Sequence, residues 1–410
     1  VLDERSSQVA EEVAHTSYGR LLAFVASRTG DLAGAEDALA DAFEQALRTW
    51  PERGVPDRPE AWLLTVARRR LIAGIRHSDV EARAAPSLQL LADEAEELAE
   101  SDTAFPDERL RLLFVCAHPA IDSRLHAPLM LQTVLRVDAA RVASAFLVSP
   151  ATMSQRLVRA KAKIRDAGIG YRIPEHDELP ERLDSVLAAI YAAYGTGWDG
   201  ATGDPASQGL ADEAIRLARL AVGLLPDEPE SEGLLALLLF SESRRDTRRS
   251  EAGAYVPLTD QDTGRWSRPL IAEARDLLAR AASGTLELGR FQLEAAIQSV
   301  HAARLETGTT DWGAIVALYK GLLAVAPSIG AEVGAAAALA ASGEPDEALA
   351  RLDRIDPDRV EEYQPYWAVR AEVLRRGGDH DAATAALHRA IGLSDDLAVR
   401  AFLVGRLPLG

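Results

Sequence analysis

Residues 131–165 read LQTVLRVDAARVASAFLVSPATMSQRLVRAKAKIR, a pattern that predicts two short helices joined by a tight turn. Asp138 is placed to cap a first helix ending near Phe146, and a Leu-Val-Ser turn follows. Ser149 and Pro150 then supply an N-cap and a first-turn proline for the second helix. Along it Met153, Leu157, Ala160 and Ile164 recur at helical spacing and face inward, which leaves Thr152, Gln155, Arg156, Arg159 and Lys163 outward. A face of this kind suits the major groove of DNA. Glutamine bonds adenine bidentately, arginine bonds guanine, and threonine touches a thymine methyl, while Arg159, Lys161 and Lys163 suit phosphates. The chain holds only three lysines, and Lys161 and Lys163 are two of them.

Charge is distributed to match. The 410 residues carry 63 acids and 45 bases, a net −18 that by itself opposes nucleic-acid binding. Residues 111–173, however, hold 10 bases and 3 acids, a local +7, between an acidic stretch at 79–110 (−8) and the remainder at 174–410 (−15). One basic block between acidic ones is the footprint of a local phosphate-binding surface.

Outside this segment nearly every apolar stretch recurs every three to four residues, and bounded alternating runs of Val, Ile, Thr and aromatics are absent, so an all-α protein is expected. A helix is predicted around Arg20 to Ser27, a second from the N-cap Asp31 to Trp50, and a third from Pro59 to about His77. The third carries Trp62, Leu63, Val66, Leu71 and Ile75 on one side. Residues 79–108, rich in Ala, Glu and Asp, lack a sustained apolar face and read as a linker. The expected organisation is a helical domain at 1–78, that acidic linker, the helix-turn-helix domain at 109–173, and a large helical region at 174–410.

In the last region Gly343 and Gly378 stand 35 residues apart, and aligning them superposes Ala336 on Ala371, Leu339 on Leu374, Ala348 on Ala383 and Leu352 on Leu387. The period is near that of tetratricopeptide (TPR) repeats. A weaker third trace runs Gly209, Ala214, Ala218, Ala221 and Pro226, and the polar cluster Asp260, Gln261, Asp262, Arg265 and Trp266 fits no repeat. That cluster has two readings: a loop whose Trp plugs adjacent repeats, or a partner contact.

Other chemistry is sparsely signalled. The single Cys116 excludes an intramolecular disulfide and falls in an apolar RLLFVCA run, the eight histidines form no HxxxH or HxH pair, and no glycine-rich phosphate loop occurs. No catalytic residue, metal or cofactor is expected. The acidic start VLDERSSQ does not resemble a signal peptide, and the weakly charged stretch at 321–343 is too rich in Ala and Gly for a bilayer span, so a cytoplasmic protein without membrane contact is expected.

The order DLAGAEDALADAFEQALRTW, PEAWLLTVARRRLIAGIRH, linker, FLVSPATMSQRLVRAKAKIR resembles the region 2 and region 4 pair of an extracytoplasmic-function (ECF) sigma factor, in the subfamily with a carboxy-terminal TPR-like extension. The resemblance implies core RNA polymerase (β′ clamp helices and β flap) and promoter DNA as partners. It makes Asp31, Glu36, Asp37, Asp41 and Glu44 candidate polymerase contacts, and Arg68, Arg69, Arg70, Arg76 and His77 candidates for the minus-10 element. Ser149, Thr152, Gln155, Arg156, Arg159, Lys161 and Lys163 would serve the minus-35 element. Three successive residues span about 200° of a helix, so the three consecutive arginines cannot all face one strand. The stretch YAAYGTGWDGATGD departs from the pattern associated with that extension, which leaves the role of the 260–266 loop open. The acidic linker and carboxy-terminal region could also rest against the basic domain and mask it. The alternative function is an operator-binding regulator with a TPR scaffold, independent of sigma activity.

Overall fold

A computed structural model describes residues 8–11, 13–14, 17–75, 107–137, 139–145, 148–175, 178–199, 205–226, 228–283 and 287–408. All regular structure among them is helical. The chain forms two compact units, Val1–Gly197 with Leu210–Leu217, and Trp198–Gly209 with Ala218–Gly410.

The first unit begins with α1 (Tyr18–Thr29), α2 (Leu32–Arg53) and α3 (Pro59–Ile75), which pack on one another. Helix α1 ends at Gly30, whose φ of 69° is the left-handed C-cap conformation that glycine adopts without strain. Asp31 then caps α2 as its position predicts, accepting a hydrogen bond from the Gly34 amide at 3.1 Å. Leu32, Ala35, Leu39, Ala42, Ala46 and Trp50 form the buried stripe of α2. The Trp50 ring meets Trp62 of α3 edge to face at a centroid distance of 5.5 Å. The proline-rich loop does not stop α2 at Trp50: Pro51 sits inside its last turn and the helix runs on to Arg53, closed by Gly54 at φ 86°. On α3 the buried residues are Leu63, Leu64, Val66 and Ala67, with Trp62 half-buried.

Four further helices follow in the unit: α4 (Arg109–Cys116), α5 (His126–Thr133), α6 (Ala139–Ala145) and α7 (Pro150–Asp166). Helix α4 packs on α1 and α5, α6 packs on α5 and α7, and α7 reaches across to α2. Most of α8 (Leu179–Asp199) and residues 210–217 of α9 (Pro205–Leu224) belong to this first unit. Buried polar contacts tie them in: Ser185 hydroxyl meets His126 Nδ1 at 3.1 Å, and Glu213 pairs with the buried Arg109.

In the second unit α10 (Pro229–Glu242), nearly all buried, packs between α11 (Arg268–Ser283) and α12 (Arg290–Ala302). Helices α13 (Trp312–Val325), α14 (Ile329–Ser342), α15 (Pro345–Leu352), α16 (Gln364–Gly377), α17 (His380–Gly392) and α18 (Leu397–Val404) follow as sequential packed neighbours. The 35-residue period is a real structural repeat. Gly343 ends α14 and Gly378 ends α16, at φ 99° and 87°; at both turns the glycine N–H donates to the carbonyl three residues before it, and the N–H of the next residue (Glu344, Asp379) donates to the carbonyl five residues before that one. The superposed pairs Ala336/Ala371, Leu339/Leu374, Ala348/Ala383 and Leu352/Leu387 are all buried. Gly209 is not a third such turn: it lies inside α9, where the chain continues as helix to Leu224.

Candidate nucleic-acid interface

Helix α7 owes its start to the two residues named from sequence. Ser149 has an extended backbone (φ −68°, ψ 147°), its hydroxyl accepts from the Thr152 amide at 3.2 Å, and Pro150 occupies the first turn. Met153, Leu157, Ala160 and Ile164 are buried. Thr152, Gln155, Arg156, Arg159 and Lys163 are exposed along the other side, with Ser149 exposed at its start. None of Arg156, Arg159 and Lys163 makes an ion pair among the described residues, so their charge is available to an anion. Asp138 and Phe146 lie outside the described residues.

Lys161 departs from the expected phosphate role. It is buried, and its ammonium lies 2.7 and 2.8 Å from the two carboxylate oxygens of Glu36 on α2. The pattern held a signal for this: Lys161 follows Leu157 by four residues and Met153 by eight, which places it at the edge of the buried stripe. Val158, between Leu157 of the buried stripe and Arg159 of the polar face, is 63% exposed on α7.

The acidic residues of α2 divide in the same way. Asp31 is half-buried and spends a carboxylate oxygen on the helix cap, and Glu36 is half-buried against Lys161. Both are engaged inside the unit in this structure. Asp37 and Glu44 are exposed, Asp41 is half-buried, and Leu47 beside them is 51% exposed. On α3, Arg69 and Arg70 are exposed, whereas Arg68 is turned inward with its Nε buried, as the angular span of three successive residues requires. Arg70 pairs with Asp41, and the two helices flank a cleft of about 450 Å³ lined by Asp41, Glu44, Arg48, Val66, Arg69 and Arg70. Arg76 and His77 lie outside the described residues.

The two candidate faces are held in one unit by more than the Lys161–Glu36 pair. Arg136, at φ 52°, donates to the Ala14 carbonyl at 2.6 Å and stacks its guanidinium 4.2 Å over the Tyr18 ring. Arg28 of α1 pairs with Glu108 at 3.2 Å. Gly19 sits so near the end of α5 that a Cβ there would fall 2.4 Å from the Val134 carbonyl oxygen, a separation only glycine permits.

Cys116 and His126 lie in the interior of the first unit. Cys116 is fully buried, and desolvation pushes its thiol up to about 12, far from a reactive thiolate. His126 is buried between the Ile121 carbonyl and the Ser185 hydroxyl, and its pKa falls because desolvation disfavours the charged ring. In the 260–266 loop, Gln261 and Trp266 are buried: Trp266 Nε1 donates to Thr247 Oγ1 at 3.1 Å, and Gln261 Nε2 donates to the Val256 carbonyl at 3.2 Å. Both side chains are turned inward. Asp260, Asp262 and Arg265 are exposed. No described helix is long and apolar enough to cross a membrane.

Residues 14–80 match sigma-70 region 2, and residues 182–282 match a family of unknown function (DUF6596). An uncharacterized protein of Rhizobium meliloti (strain 1021) is 37% identical over 374 residues, covering 90% of this chain and 88% of the relative. The region 2 match spans the α1–α3 bundle with its acidic α2 and arginine-bearing α3. The chain belongs to the family of this Rhizobium protein and, through its region 2, is a sigma-70 family factor acting in transcription initiation.

Proposed function

We propose that the chain is a sigma factor of the extracytoplasmic-function type whose α6–α7 pair is a region 4 reading the minus-35 element. Its α2 would dock on the β′ clamp helices through Asp37, Asp41 and Glu44, its α3 would meet the minus-10 element through Arg69 and Arg70, and its TPR-like helical pairs would modulate the activity. The observation that carries this is the capped helix α7, with Thr152, Gln155, Arg156, Arg159 and Lys163 exposed on a face free of acidic partners among the described residues. Arginine and glutamine there read purines, and each bidentate base contact discriminates by about 1–3 kcal/mol.

Promoter geometry adds a requirement. Two elements 25 base pairs apart are separated by about 85 Å along a duplex that rises 3.4 Å per base pair. Helix α7 is in contact here with α2, on which α3 packs, so α3 and α7 cannot serve the two elements unless α7 separates from α2. The linker expected at residues 79–108, which separates α3 from the domain that carries α7, can span at most about 100 Å when extended. Engagement of both elements is therefore possible only if Lys161 leaves Glu36.

The test is transcription in vitro from a promoter library with core polymerase and the full chain. Core-dependent initiation at specific sites is expected. Sequence-specific DNA binding with no initiation would instead favour an operator-binding regulator.

A further inference from the structure

A cavity of about 430 Å³ opens among α16, α17 and α18 of the second unit. This volume falls in the range of small-ligand sites. Ala383, Leu387 and Phe402 contribute to its apolar wall, and Glu372, Arg375 and Arg406 line it as well. Arg375 donates to both carboxylate oxygens of Glu372, at 2.8 and 2.9 Å; Arg376 adds a bond at 2.7 Å and Arg406 one at 3.3 Å. Three guanidiniums on one carboxylate leave a local excess of two positive charges. That excess stands out in a region, residues 174–410, that carries 38 acids against 23 bases. Burial pushes the Glu372 carboxyl up, but the hydrogen bonds and charges of Arg375 and Arg376 outweigh it and bring it down to about 2. The carboxylate thus stays ionised and neutralises only one of the three cations. Each guanidinium has five N–H donors, and Arg406 spends one on Glu372. Its charge is held at the cavity wall, 4.9 Å over the Phe402 ring.

We propose that this cavity binds a small amphiphilic acid, with its apolar body between α17 and α18 and its carboxylate on Arg375 and Arg406. Charge complementarity selects the anion over a neutral or cationic amphiphile, and the apolar wall selects it over a small hydrophilic anion. Phe402 also meets Tyr255 edge to face, with ring centroids 5.3 Å apart, so an occupant in contact with Phe402 would also bear on the loop that carries Tyr255. The proposal stands apart from the sigma-factor assignment.

Calorimetric titration of the full chain with decanoate, decanol and decyltrimethylammonium tests it. Decanoate should bind one to one, at least tenfold more tightly than decanol, and the cation should not bind. Arg375→Gln with Arg406→Gln alters two exposed side chains and should weaken decanoate tenfold or more while leaving decanol unchanged. Ala383→Leu, which fills the cavity, should weaken both. Absence of saturable decanoate binding, equal affinity for decanol, or indifference to the arginine pair would overturn the proposal. With Ala383→Leu checked by its melting temperature, unaltered binding in a folded variant would also overturn it, by placing the ligand elsewhere.

Discussion

Replacing Lys161 with alanine tests one of the contacts that join α2 and α7 in the first unit. The Lys161 and Glu36 side chains are 11% and 23% exposed, and both carboxylate oxygens lie within hydrogen-bond distance of the ammonium. Removing one member of a fully buried pair costs about 3–5 kcal/mol, because the other charge is left without a partner in a poorly solvated place. The residual exposure of Glu36 lets water recover part of this, so about 2 kcal/mol is expected for Lys161→Ala. For a unit of this size that loss lowers the melting temperature by about 4–8 °C in scanning calorimetry. The double variant with Glu36→Ala should be less destabilised than the single, with a coupling energy of about 1 kcal/mol. If separation of α2 and α7 precedes polymerase binding, the same 2 kcal/mol raises the separated population roughly 30-fold, and core association should accelerate. A melting temperature within 1 °C of the parent and no coupling in the cycle would refute the claim that this pair holds the domains together.

Arg156→Ala should lower transcription from the cognate promoter roughly 5- to 100-fold without weakening core binding, and Asp37→Ala should do the reverse; transcription and core-affinity assays on both variants separate the two. Gly19→Ala places a Cβ against the Val134 carbonyl and should destabilise the first unit by about 1–3 kcal/mol, read by urea unfolding. In the second unit His301 packs edge to face on Trp312, and desolvation, with Arg244 and Arg304 nearby, lowers its pKa to about 4. Because the unfolded ring binds its proton more tightly, the stability it contributes is complete above pH 6.5 and is lost as pH falls from 6.5 towards 4. His301→Gln should therefore flatten the pH dependence of the second unit's melting in that window, and an unchanged slope would count against it.

Helix α7 shows where local pattern suffices and where it ends. Its N-cap, its first-turn proline and its buried stripe were all legible because each depends on residues within four positions of one another. The same holds for Asp31 at the start of α2 and for the glycine turns at 343 and 378. Lys161 and Lys163 are of one type and two positions apart, yet one is buried against Glu36 and the other is exposed. In the 260–266 loop Gln261 and Trp266 turn in, whereas Asp260, Asp262 and Arg265 stay out. No periodicity distinguishes them, since the loop has none.

What the sequence by itself determined is the helical class, the ends of several helices, the exposed polar face of α7 and the 35-residue repeat, all of which arise from hydrogen bonds and side-chain spacing along a few turns. The tertiary structure alone decided that Lys161 meets a carboxylate 125 positions away, that Gly209 is interior to a helix, and that the first unit extends to Gly197 and takes in residues 210–217. The reason is physical. A helix carries the same local code whichever of its flanks is covered, and the covering surface comes from distant chain whose approach is set by burial and charge pairing across the whole unit.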